Sequence, residues 1–151
     1  MDQIEIRFVG DSLPEGFEIL RHAADGEAYN MLGTLAREWA DGTNRFNRPG
    51  EALVAAIDGN VLAGMGGMNI DPVVEGAMRM RRFYVRPAYR RRGVARLMAS
   101  ALLDRAETSG RPITLNAPQA EAARFWEALG FIRDNEDGHT HIRPAAPYRH
   151  A

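Results

Sequence analysis

The residues best suited to chemistry are the run Arg90-Arg91-Arg92-Gly93-Val94-Ala95. Apolar residues recur at helical spacing from Val94 to Ala106, so this basic loop opens a helix. The first turn of a helix carries backbone N–H groups without internal partners, and the helix dipole adds partial positive charge there. Such a turn binds phosphate readily. Gly93 has no Cβ and lets the backbone come close to an anion. Clustered cations at a helix start oppose the dipole, so Arg90, Arg91, Arg92 and, one turn further in, Arg96 call for an anion nearby. Groups able to move a proton are scattered. Glu51 starts a strand, Asp71 and Glu75 sit in a turn, and His139 and His141 lie two apart near the end. Tyr84 and Tyr89 carry hydroxyls. The two histidines lack a third ligand at suitable spacing, so no metal site is expected.

The elements that must position these groups can be read along the chain. Ile4 to Val9 alternates as a strand. A short helix is expected over 15–24 and a second over 27–39, with Met31, Leu32, Leu35 and Trp39 along one side. The polar loop 40–50 is full of turn formers. Ala52 to Ile57 and Val61 to Ile70 read as strands joined at Asp58-Gly59-Asn60. Gly64, Gly66 and Gly67 weaken the second of these and point to a bulge or a close approach. Met78 to Val85 is a strand stopped by Arg86-Pro87. Ile113 to Asn116 is a short buried strand, and Ala120 to Leu129 a helix ended by Gly130. Phe131–Arg133 and His139–Arg143 form a last hairpin around Asp137-Gly138, and 143–151 reads as a tail. The helix from Val94 joins the basic strand to the Ile113 strand, which makes those two parallel. No repeat or linker divides the chain, so one domain, 1–151, is expected.

With 151 residues the chain can bury a substantial core. It has no cysteine, which excludes disulfides, thiolate metal sites and an acyl-cysteine intermediate. The N-terminus lacks the basic start and apolar run of a secretory signal, and no apolar stretch approaches the ~20 residues that span a bilayer. A cytoplasmic location without membrane contact is the expectation. The net charge of −1 hides an asymmetry. Residues 79 to 96 hold eight arginines and no acid, so the remainder carries −9, the eight subtracted from −1. A local positive field on an acidic body suits a compact polyanion better than nucleic acid, which also wants aromatic platforms among the charges. All 19 basic residues are arginine.

The loop resembles the acyl-CoA site of the GNAT superfamily of N-acetyltransferases, whose pattern Gln/Arg-x-x-Gly-x-Gly/Ala is filled by Arg90, Gly93 and Ala95. Phe83-Tyr84-Val85-Arg86-Pro87 is similar to the strand and turn that lead into that loop. Ala122 to Phe131, ending in Leu129-Gly130-Phe131, is similar to the helix that follows it. The resemblance covers roughly residues 50 to 135. It implies an α/β fold of GNAT type: a mixed, mostly antiparallel sheet splayed between the two parallel strands, with helices flanking it. It implies acetyl-CoA as co-substrate. The pyrophosphate would sit on backbone groups of Arg91 to Ala95, Val94 included, with Arg90, Arg91, Arg92 and Arg96 nearby. The backbone of Phe83, Tyr84 and Val85 would pair with the pantetheine arm, and Asn116, Phe125 and Trp126 would line its path. Many relatives have a proton-donating tyrosine where Trp126 stands, and an indole N–H cannot do that work. Tyr84 or Tyr89 would have to substitute, or water. Many relatives also carry a glutamate on the basic strand, which here holds Arg79, Arg81 and Arg82. Glu51, Glu75, Asp71, His139 and His141 therefore stay open as bases, with Tyr84, Glu51 and Glu75 the named catalytic candidates.

The resemblance implies acetyl transfer to a primary amine, expected on a small molecule, by direct attack in a ternary complex. The acceptor pocket would draw on Tyr29, Trp39, Asn44, Arg45 and Phe46, and Arg45 and Arg48 hint at an acidic group on the acceptor. Two copies joined by a sheet edge or the C-terminal strand is an arrangement common in the resembling family. The rival reading is an acyl-CoA-binding sensor or interaction module with little activity, motivated by Trp126 and the acid-free strand.

Overall fold

A computed structural model describes residues 3–145. Seven strands form one sheet in the order β1-β2-β3-β4-β5-β7-β6. They are β1 (Ile4–Phe8), β2 (Ala52–Asp58), β3 (Val61–Ile70), β4 (Met78–Val85), β5 (Ile113–Leu115), β6 (Ile132–Glu136) and β7 (His139–Arg143). Every neighbouring pair is antiparallel except β4 and β5. Four helices cover the sheet: α1 (Phe17–Gly26), α2 (Met31–Asp41), α3 (Val94–Glu107) and α4 (Ala120–Glu127). No helix among the described residues is long and apolar enough to cross a membrane.

The side-chain period of two sorts β2 onto two cores. Ala52, Val54 and Ala56 pack with Met98, Leu102 and Phe131 on the α3 and α4 face. Leu53 and Ala55 pack with Phe17, Leu20, Leu32 and Leu35 on the α1 and α2 face. Coverage on both faces explains why β2 reads as a continuous apolar run rather than an alternating one.

The glycines of β3 each answer to a neighbour. A Cβ on Gly64 would lie 2.7 Å from the Tyr84 carbonyl oxygen, on Gly66 2.9 Å from the Phe83 ring, and on Gly67 2.5 Å from the Phe46 ring. The β3–β4 register also shifts between Met65 and Gly67, opposite Tyr84 and Arg81. This is a bulge, and Arg82 within it has φ 64.

Two expected boundaries move for identifiable reasons. The second helix starts at Met31 rather than Glu27. The N–H groups of Glu27, Ala28 and Tyr29 return to Ala24 and Asp25, so these residues close α1 instead. The final hairpin turns on Asp137 and Gly138, which both take positive φ as a two-residue turn requires. Arg143 belongs to β7, so the expected tail starts later, and residues 146–151 of it lie outside the described residues.

Candidate active site

β4 and β5 touch through only two residue pairs, Met78 with Ile113 and Arg79 with Thr114. Beyond them the strands part. β5 stops after Leu115, where Pro118 prevents extension and the Ala117 N–H is taken by the Thr140 hydroxyl of β7 at 2.8 Å. β4 continues for six more residues and turns through its bulge. Below the split, Asp71 pins the two strands together. It accepts hydrogen bonds from the Thr114 hydroxyl and from the Val73 and Val74 N–H groups at 2.8 and 2.9 Å. Burial would raise its carboxyl, but these bonds hold it below the usual carboxylate range.

The gap opens into a cleft of about 460 Å³ bounded by Met80 to Val85 on one side and Leu115 to Gln119 on the other. A second cleft of about 890 Å³ lies over the basic loop and the start of α3. Phe83, Val85, Gln119 and Trp126 line both, so the two form one continuous groove. Trp126 stands at the junction, with Phe83, Phe125 and Phe131 edge-on to it at 4.9, 5.0 and 5.3 Å. These three contacts fix the indole as the groove's wall.

The basic loop leaves a run of backbone N–H groups without partners. Pro87–Tyr89 forms one turn of 3₁₀ helix after β4. Arg91 and Gly93 then take left-handed φ of 62 and 80, while Arg92 between them does not. That pattern turns successive N–H groups towards one side. Among the described residues, the N–H groups from Arg91 to Arg96 donate to no carbonyl or side chain; the first helical bond runs from Leu97 to the Gly93 carbonyl. The first turn of α3 holds no acid. A Cβ on Gly93 would meet nothing within 4 Å, so glycine is required by φ and not by crowding.

The arginines divide sharply by partner. Arg90 makes a paired contact with Glu27 at 2.6 and 2.9 Å, and its Nε donates to the Val85 carbonyl at 2.9 Å. The Tyr84 hydroxyl donates to the same Glu27 carboxylate at 2.5 Å. Arg90 and Tyr84 together hold the Glu27 carboxyl below its ordinary range. Burial, and then Glu27, push the Tyr84 phenol up to about 12. Glu27 thus ties the end of α1 to β4 and to the loop. Arg82 reaches Glu38 of α2 at 2.9 Å. Arg91 is exposed, 3.9 Å from Glu121, and Arg92 lies over the Tyr89 ring.

The alternative candidates for acid and base lie in separate places. The Glu51 carboxylate accepts the Arg48 and Ile70 N–H groups at 3.0 and 2.9 Å, a clamp between loop and sheet outside the groove. Glu75 is exposed in the turn before β4 and does not line the groove. Tyr84 does line it, but its proton is committed to Glu27. The Tyr89 hydroxyl donates to Asp58 at 2.7 Å. His139 and His141 are buried against Asp134 and Glu127, each at 2.8 Å. No cluster of three metal-ligating side chains occurs among the described residues.

Of the residues expected in an acceptor pocket, Tyr29 lines the groove. Arg45 is held by the Trp39 carbonyl at 2.8 Å, the Asn44 side chain caps the Phe46 N–H at 3.0 Å, and Phe46 packs on Gly67. Their place is taken by Met31, Arg81 and Arg82. The alternation of β4, with Met78 and Met80 on the α3 face, was the available signal for Arg81. Glu27 had none, since its role depends on contacts 57 and 63 residues away.

The acetyltransferase (GNAT) family model matches residues 15–131. No curated protein sequence matches the chain. Among solved structures, a protein of Exiguobacterium sp. 255-15 assigned as an acetyltransferase is 22% identical, with TM-score 0.83 over 93% of this chain and 92% of that one. A GNAT-family acetyltransferase of Staphylococcus aureus Mu50 is 12% identical, with TM-score 0.74 over 95% and 100%. The protein yncA of Salmonella typhimurium, also assigned as an acetyltransferase and solved with its cofactor acetyl-CoA, is 15% identical, with TM-score 0.69 over 96% and 95%. At these identities the neighbours establish the shared fold, while the family model spans well over half of the sequence. The chain belongs to the GNAT family of acetyltransferases, which transfer acyl groups from acetyl-CoA.

Proposed function

We propose that this protein is an N-acetyltransferase that moves the acetyl group of acetyl-CoA to a primary amine on a small molecule. The observation that carries the reading is the run of unengaged N–H groups from Arg91 to Arg96, placed at one end of a groove that passes through the β4–β5 gap. The residues present fit the co-substrate. The loop supplies convergent donors and a helix start for a pyrophosphate. Asn116, Phe125 and Trp126 border the path towards the gap. Bound there, acetyl-CoA supplies an activated thioester: a C–N bond forms to the amine, the C–S bond breaks, and the amine proton ends on the released thiol.

The chain's own contribution is positioning and charge. β4 beyond Arg79 has no strand neighbour on its β5 side, so its N–H groups turned away from β3 are placed to orient and polarise a carbonyl in the gap. Among the described residues, the strand-gap cleft is lined by no Asp, Glu or His. Proton removal then falls to water. Arg81 and Arg82 assist it, because nearby positive charge disfavours the ammonium form of an incoming amine. Trp126 lines the junction between the two parts of the groove.

Isothermal titration with acetyl-CoA and with CoA, followed by an amine panel at saturating acetyl-CoA, tests the reading. Binding with amine-dependent thiol release supports it. A folded sample that binds neither form overturns it.

A further inference from the structure

From Arg81 we infer that the acceptor carries a carboxylate beside its amine and belongs to the free amino-acid class; this rests on the acyltransferase reading above. Among the described residues, the strand-gap cleft is lined by three charged side chains, Arg81, Arg82 and Arg90, and by no acid. Two of the three have an acidic partner within the protein, Arg90 with Glu27 and Arg82 with Glu38, although the buried Arg82 Nε stays without a partner among the described residues. The Arg81 side chain makes no ion pair or hydrogen bond among the described residues. It is half-buried between two like charges on β4, Arg79 and Arg82. Burial, and then those neighbours, depress its pKa, the mark of a guanidinium lacking a counter-ion. Asp71 and Glu38 contribute only at longer range, being held by Thr114 and Arg82.

The missing anion is not assigned to the co-substrate's phosphates, because Arg81 does not line the cleft over the basic loop. It alternates with Met78 and Met80 of the α3 face, and it shares the lining of the strand-gap cleft with Tyr29 and Met31. A planar guanidinium pairs with a carboxylate through two parallel hydrogen bonds, which would fix the acceptor's orientation as well as its charge. The same field opposes polyamines, aminoglycoside-like polycations and protein lysines, which would add positive charge to an acid-free cleft.

The test uses the purified full chain, with thiol release as the readout. The panel is the L-amino acids, their amides, the matching decarboxylated amines, spermidine and a lysine peptide. We expect at least one amino acid to exceed its own amide and amine in kcat/KM by tenfold or more. Arg81→Gln should raise KM for that acid at least tenfold, with a smaller loss in kcat and the Kd for acetyl-CoA unchanged. Arg81→Lys should recover part of the loss. If Arg81→Gln does not fold, Arg81→Lys and the wild-type comparison of acid with amide still decide. The inference is overturned by an amide or amine equal to its acid, by preference for spermidine or the peptide, by no amino acid reacting, or by an unchanged KM in Arg81→Gln. Titration of the same sample with acetyl-CoA separates the two levels: intact binding with no carboxylate preference overturns the acceptor class alone, and absent binding overturns the acyltransferase reading itself.

Discussion

Gly93 and Gly110 provide a matched pair for testing the anion cradle. Both take left-handed φ, 80 and 67, and a Cβ at either would meet nothing within 4 Å. Valine at either position therefore pays mainly for backbone strain, roughly 1–3 kcal/mol. For a chain of this size each kcal/mol lowers Tm by roughly 2–4 °C, so both variants should melt some 2–12 °C early and remain folded at 25 °C. Their surroundings differ. Gly93 lines the cleft over the basic loop, whereas Gly110 follows α3 and lines neither part of the groove. A valine at 93 both resists the φ that aims the N–H groups and fills the space an anion would use. We predict that Gly93→Val weakens acetyl-CoA binding at least about tenfold, equivalent to about 1.4 kcal/mol, with Gly110→Val staying within about twofold of the wild type. Calorimetric titration gives the affinities and circular dichroism melts give the stabilities. Equal affinities in all three proteins, or equal losses in both variants, would refute the assignment of the cradle.

Other predictions follow from single contacts. Tyr84 has a folded pKa raised to about 12 against an ordinary 10, so its protonated form contributes stability that is complete below about pH 10 and is lost as pH rises towards 12. Absorbance titration should show one of the four tyrosines ionising last, and Tyr84→Phe should abolish that late step. Glu27 has the opposite sign: its depressed carboxyl contributes stability above its unfolded value that is lost as pH falls through the folded one, and Glu27→Gln should flatten the acid limb of a melting curve series. Gly67→Leu places side-chain atoms into the Phe46 ring, where a Cβ alone would already lie 2.5 Å away, and should cost at least about 1–3 kcal/mol in urea unfolding. Asp71→Ala strips the partners from the buried Thr114 hydroxyl and the Val73 and Val74 N–H groups; a loss of roughly 1–3 kcal/mol in the same assay is expected, and no loss would mean water replaces the carboxylate.

Local chemistry was legible from the chain itself. The anion site proposed at residues 90–96 was read from the sequence because helix starts, glycine and arginine have effects that act within a few residues, and the structure leaves the N–H groups there unengaged. The strands from Ala52 to Val85 follow from period and turn residues, and Gly64, Gly66 and Gly67 correctly signalled crowding. Which neighbour crowds each glycine was not legible, because Phe83 and Phe46 arrive from separate elements. The same limit decides the site. Glu51 has the residue type of a base, yet folding hands its carboxylate to two backbone N–H groups. Tyr84 has the type of an acid, yet its hydroxyl is engaged as a donor to Glu27. Arg79, Arg81 and Arg82 look alike along β4, and only tertiary packing gives Arg79 to Asp71 and Arg82 to Glu38 while leaving Arg81 facing the gap. A side chain's chemistry is written in its type, but its availability depends on partners dozens of residues away, and those are chosen when the sheet and its two helical layers close together.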